Sequence, residues 1–150
     1  MKNLYLVTLF SAFTLAYCNT PTKTTETDNH ASEAMNTPLL ETHWKLVELN
    51  GQPVVNPIGN QKEAYIMLAK EDNRLSGSGG CNMMMGGYEL MEGNQIKFTG
   101  VASTRMACPD MSIEDALGKA ISSTDNYAIN GKYLMLHKAK MAPLAKFEAQ

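Results

Sequence analysis

The residues most able to do chemistry are crowded into one stretch, "GSGGCNMMMGGYEL" at positions 77–90, with five glycines, a cysteine and three consecutive methionines. A phosphate-cradling loop would need its glycines to run into a helix N-terminus, with Lys and Ser/Thr in place. Here the glycines stand between two strand-like segments, and no lysine occurs from Arg74 to Gln95. Thioether ligands select Cu(I), which makes Met83, Met84 and Met85 a candidate metal set. On a regular strand, however, adjacent side chains point to opposite faces, so the three cannot share one ion. The expectation is therefore no metal, with the methionines filling gaps or forming an adaptable apolar surface. The runner-up is a redox or metal-binding protein built on the cysteines and methionines.

The other reactive residue types are scattered. His30, His43 and His137 are isolated in sequence, although His43 and His137 could meet across a sheet. Ser103 and Thr104 have no base nearby in sequence, so no nucleophile, base and orienting group can be assembled. Glu114 and Asp115 begin a helical pattern and fit the helix macrodipole. No catalytic residue set emerges, and the expectation is a protein that is not an enzyme and carries no cofactor.

The three cysteines are Cys18, Cys81 and Cys108. Residues 4–17, "LYLVTLFSAFTLAY", follow a short basic start and are too few to span a bilayer, which takes about 20 residues. They match the apolar region of a signal peptide. "LAYC", ending at Cys18, resembles the lipobox of bacterial lipoproteins, with Tyr17 where a small residue is usual; ordinary cleavage near Ala16 is the competing reading. Residues 19–38 are rich in Thr, Asn and Pro, and too poor in apolar surface to offset ordering entropy. The expected organisation is a signal peptide at 1–17, a flexible tether at 18–38 and one domain at 39–150. A membrane contact through lipid on Cys18 follows, in an exported, periplasm-facing envelope protein. If Cys18 is lipidated, Cys81 and Cys108 remain in a disulfide-permitting compartment. They are either two buried thiols or a structural bridge, which for such a loop contributes about 3 to 4 kcal/mol in the chain-entropy model.

Composition adds exclusions. Formal charge is −2, from 13 basic and 15 acidic side chains, and no basic run offers a nucleic-acid backbone a footing.

The elements that must position these residues are short strands with turns. "THWKLVELNG" alternates, with Trp44, Leu46 and Glu48 on one face and Lys45, Val47 and Leu49 on the other, ending in the turn pair Asn50-Gly51. Ala64 to Lys70 and Arg74 to Gly79 form a hairpin about Asp72-Asn73. Tyr88 to Met91 and Gln95 to Phe98 form another about residues 92–94. Gly77 to Gly80 read as a strand allowing close backbone approach, and Met83 to Gly87 as the corner leading into Tyr88. In "DMSIEDALGKAISS", Ile113, Ala116, Leu117, Ala120 and Ile121 mark one helical face. Ser112 and Asp115 resemble a capping box, and Gly118 suggests a close contact. A last hairpin turns at Asn130-Gly131, with Leu134 and Leu136 on one face. The class is α+β.

The order Trp44-x-Leu46-x-x-Leu49-x-Gly51, then "GSGGCN" with Gly86, Gly87 and Tyr88, then "STRMAC", then "YLMLH" resembles the META domain family of HslJ-like bacterial envelope proteins. The resemblance implies a mainly antiparallel, conical β-sheet or partial barrel with one packed amphipathic helix, similar to secretin-pilot lipoproteins. It also implies an exported, often lipid-anchored, non-enzymatic protein linked to heat shock, novobiocin tolerance or envelope integrity. The partner would be an apolar ligand or another envelope protein. Its signature positions here are Trp44, Gly80, Cys81, Asn82, Gly87, Tyr88, Ser103, Thr104, Met106 and Cys108, with an architectural role. Asn82, a polar amide beside Cys81, is expected to hydrogen-bond the backbone of "STRMAC".

Overall fold

A computed structural model of the chain describes residues 36–55, 57 and 61–150. The expected signal peptide, Cys18 and most of the tether lie outside them. The described part contains nine strands and one helix: β1 Trp44–Leu49, β2 Gln52–Pro53, β3 Ala64–Ala69, β4 Arg74–Gly79, β5 Met83–Met91, β6 Gln95–Ser103, α1 Ser112–Ser123, β7 Asn126–Asn130, β8 Tyr133–His137 and β9 Ala145–Ala149. All strand pairs are antiparallel; β3 lies beside β1, and each of β4 to β9 lies beside its predecessor. Pairing of β1 with β9 closes the sheet, giving an eight-stranded barrel with β2 appended to β1. The α+β class and the barrel match the sequence expectation; the sheet goes further than a partial barrel.

Hairpin chemistry sets the strand order. Asn50 and Gly51 both hold positive φ, 51° and 78°, the backbone that a tight antiparallel reversal with right-handed twist requires. Asn73 takes the same region at the β3–β4 turn and Asn94 at the β5–β6 turn.

Alternating apolar residues then fill the barrel. Trp44, Leu46, Ile66, Leu68, Ile96, Leu134, Leu136 and Phe147 are fully buried. Each such Leu, Ile or Phe contributes about 1.5 to 3 kcal/mol relative to exposure. Leu117 and Ile121 of α1 complete the core, while Ile113 and Ala116, expected on the same face, are only half-buried.

Four local expectations are corrected. Along β1, Leu49 shares the buried face with Trp44 and Leu46, and Glu48 does not. Leu46 pairs with Phe147 and Glu48 with Lys146, so two residues of β1 oppose one of β9; this bulge at Val47 reverses the alternation beyond it. Met83–Met85 are not a corner but the start of β5, because the chain already reverses at residues 80–82, where Gly80 has φ 107° and Gly79 N–H donates to Asn82 O at 2.9 Å. The helix has no capping box: Met111 is its N-cap without a side-chain bond, and the Asp110 carboxylate accepts the Ser112 N–H at 2.8 Å instead. Gly118 marks no close contact, since a Cβ there would meet nothing within 4 Å.

The glycines of β4 are the tight ones. A Cβ on Gly77 would lie 2.4 Å from the Tyr65 carbonyl oxygen, and one on Gly79 would lie 2.4 Å from Glu114 Cγ. Two alanine substitutions should therefore have opposite signs. Gly118→Ala should raise stability by about 1 kcal/mol through helix propensity, and Gly77→Ala should lower it by about 1 to 3 kcal/mol through overpacking against backbone. Chemical denaturation of the two variants checks both.

Candidate functional site

Of the expected signature residues, Gly80, Cys81, Asn82, Thr104, Met106 and Cys108 meet at the end of the barrel where β4 turns into β5. Asn82 is at the centre, with its side chain almost fully buried. Its Oδ1 accepts the Met106 N–H at 2.7 Å and the Thr104 hydroxyl at 2.9 Å, while its Nδ2 donates to the Met106 carbonyl at 3.3 Å. Two donors converge on one oxygen, so the orientation of the amide is dictated by its partners. Thr104 adds a second clasp: its N–H donates to Met83 O at 3.0 Å, and its hydroxyl accepts the Met83 N–H at 3.2 Å. The irregular segment after β6 is thereby written onto the start of β5. Cys81 and Cys108 close it with a disulfide, their Cα atoms 6.2 Å apart and 27 residues apart in sequence.

Glu114, expected from its place in the first turn to serve the helix macrodipole, belongs to this site. It is buried, and its Oε2 accepts the Asn82 backbone N–H at 2.8 Å. Its side chain lies over Gly79, where any Cβ would collide. A signal was present: Glu114 occupies the same helical stripe as Leu117 and Ile121, so a carboxylate there must enter the interior.

The remaining signature residues support the site from the barrel. Trp44 is buried, and its Nε1 donates to Leu39 O at 2.9 Å. Tyr88 is buried and donates its hydroxyl to Ala69 O at 2.8 Å, and Gly87 leaves space that Thr99 fills, since a Cβ there would meet Thr99 Oγ1 at 2.8 Å. Burial, helped by the Glu41 and Asp72 carboxylates, pushes the Tyr88 phenol above its ordinary pKa. Gly80 supplies the reversal. Ser103 pairs with Met84 at the end of β6, and Met106 presents an exposed side chain.

The reactive types do not assemble elsewhere among the described residues. His43 stacks on Tyr65 with ring centroids 4.2 Å apart and bonds Glu63 at 3.0 Å. His137 bonds the Met141 carbonyl at 3.2 Å, so the two histidines do not share a site. No group of three His, Cys, Asp or Glu able to hold a metal occurs among the described residues.

A groove adjoins the signature site. β6 pairs with β7 through Gln95 and Asn126 alone. Past that point α1, rather than a strand, lies beside β6. Between them is a cavity of about 390 Å³ lined by Met84, Val101, Ala102, Ser103, Gly118 and Lys119. Beside the bulge that shifts the β5–β6 register between Met85 and Gly87, Val101 to Ser103 of β6 line this groove.

The META domain family model matches residues 37–150. The chain belongs to the META domain family. Its META domain is also similar to a solved structure, titled "NMR structure of the protein from Burkholderia xenovorans", with a TM-score of 0.60 and 24 % identity over 75 % of this chain and 83 % of that one. That likeness concerns the fold. No curated protein is significantly similar in sequence. Within the META domain, the ordered set of "GCN" and "STRMAC" is the pair of segments that Asn82, Thr104 and the disulfide join.

Removing the central amide should be felt at once. Asn82→Ala leaves the Met106 N–H and the Thr104 hydroxyl without their acceptor, and stability should fall by about 1 to 3 kcal/mol. Thermal or denaturant melts of the disulfide-intact variant measure it; an unchanged midpoint would contradict the assignment.

Proposed function

We propose that the protein is a non-enzymatic cell-envelope lipoprotein whose META domain is a small binding or envelope-protection module linked to stress. In this reading residues 1–17 direct export, Cys18 carries the lipid, and residues 18–38 hold the domain at the periplasmic face of the outer membrane. The apolar leader, the lipobox-like "LAYC" and the Thr- and Asn-rich stretch after it support the anchor. The expected tether reaches the domain at its end, where Asn36 Oδ1 accepts the Gly131 N–H at 2.8 Å and Thr37 N–H donates to Gly131 O at 3.0 Å.

The observation that carries the binding role is the groove between β6 and α1. An edge that pairs with its neighbour at a single position offers backbone donors and acceptors to an extended segment. Its lining of Val101, Ala102, Ser103 and Gly118 is small enough to admit one. The ligand class that fits is an extended, small or apolar segment of another envelope protein. An apolar chain is the competing occupant. A non-catalytic role is supported by the employment of the polar groups: the Thr104 hydroxyl and the Glu114 carboxylate are both engaged with Asn82.

Two measurements test the reading. Cys18→Ser should move the protein from the membrane fraction to the soluble fraction; a wild-type protein that is already soluble would contradict the anchor. A photo-crosslinking residue at Ser103 should capture an envelope protein in cells, and one at Glu148 on β9 should not. Gly118→Phe, which fills the groove, should abolish the Ser103 adduct. Equal capture from both positions, or none from either, would contradict the groove.

A further inference from the structure

We propose that Met67, Met83 and Met85 form a thioether site for Cu(I) on the outer face of β3, β4 and β5. This goes beyond the binding role at the groove and uses other side chains, those on the outer face of the neighbouring strands. The adjacency of three methionines argues against a shared ion, but the strand register changes the set. Met84 points inward and is buried, while Met83 and Met85 are 37 % and 49 % exposed on the opposite face. Met67 of β3 faces the same way, because its neighbours Ile66 and Leu68 are the buried ones.

The register brings them around one short residue. Met67 pairs with Ser76 of β4, and Ser76 pairs in turn with Met85. Met67 and Met85 therefore flank Ser76 from either side, with backbones two strand spacings apart, or about 9.6 Å. Met83 is two residues before Met85 on the same face, about 6.8 Å away along the strand, and pairs with Ser78. Neither serine carries a side chain long enough to keep the flanking thioethers apart. Each methionine has three rotatable bonds with which to converge. Ser78 is itself fully buried, and its hydroxyl accepts the Gly80 N–H at 3.1 Å.

The ligand chemistry selects the ion. Thioethers are soft and uncharged, and they favour Cu(I) over the hard divalent cations that carboxylates bind. With neutral ligands and the Arg74 guanidinium one register step away, pairing with Gly87 beyond Met85, a monovalent ion suits the face better than a divalent one. Thioethers also do not protonate in the ordinary range, so the site should hold its ion at acidities where histidine or thiol sites release theirs.

The test is anaerobic competition for Cu(I) against a chromophoric chelator, with ascorbate as reductant. It uses the Cys18→Ser protein with the Cys81–Cys108 disulfide intact, so that no thiol competes. The wild-type face should take one equivalent, with affinity unchanged between about pH 5.5 and 7.5, a span in which a histidine site would titrate. Met67→Leu, Met83→Leu and Met85→Leu should each weaken binding at least about tenfold, or 1.4 kcal/mol. Met91→Leu and Met141→Leu, at exposed methionines far from this face, should leave it unchanged. Ser76→Leu keeps every thioether and fills the space between them, and it should also abolish binding. Failure of the wild type to compete, retention of affinity in the triple leucine variant, or equal losses at Met91 and Met141 would each overturn the proposal.

Discussion

The buried amide of Asn82 is the interaction on which the rest of the site depends. A side chain with a carbonyl oxygen and an NH₂ cannot be removed from water without partners, and here two separate parts of the chain are tied to one residue. The loop after β6 supplies Thr104 and Met106, and α1 supplies Glu114 to the backbone N–H of the same residue. Once Asn82 is inside, the positions of the loop, the helix start and the disulfide partner are all constrained. The bridge between Cys81 and Cys108 then restricts the unfolded chain over a loop the amide network has already ordered in the native state.

The helix is placed by the same constraint. Glu114 can reach Asn82 only by passing over Gly79, whose missing side chain leaves the space. With its first turn fixed there, α1 crosses from β4 toward β6 and contributes Leu117 and Ile121 to the core. It also occupies the place beside β6 that β7 leaves after one residue pair. The groove is thus a consequence of how the barrel accommodates its helix, and it adjoins the signature residues rather than standing apart from them.

Much of this was legible in the sequence because it rests on local rules. Asn-Gly pairs and two-residue alternation found the hairpins, and the spacing of Leu117, Ala120 and Ile121 found the helix. The amide at Asn82 was legible from its residue type beside a cysteine in a glycine-rich turn. What escaped depends on register. The bulge at Val47 inverts the faces of β1 only because β9 lies opposite with one residue fewer. Met83 to Met85 read as a corner until Gly80 is seen to make the reversal earlier. Met67 becomes a neighbour of Met85 only through Ser76, a relation between three strands that no one-dimensional spacing contains. Glu114 was misread because a charge in a first turn has an ordinary explanation, and its place on the apolar stripe carried the better one.

At the centre of the structure, Asn82 holds an otherwise exposed loop in a fixed geometry. Amide hydrogen exchange at Met106 tests it most directly. The Met106 side chain is 56 % exposed, yet its N–H ends on the buried Asn82 oxygen. The account predicts that this amide exchanges as slowly as those of the paired strands, and that protection is lost in Asn82→Ala with the disulfide intact. Exchange of the wild-type Met106 amide at the rate of an open loop would contradict it.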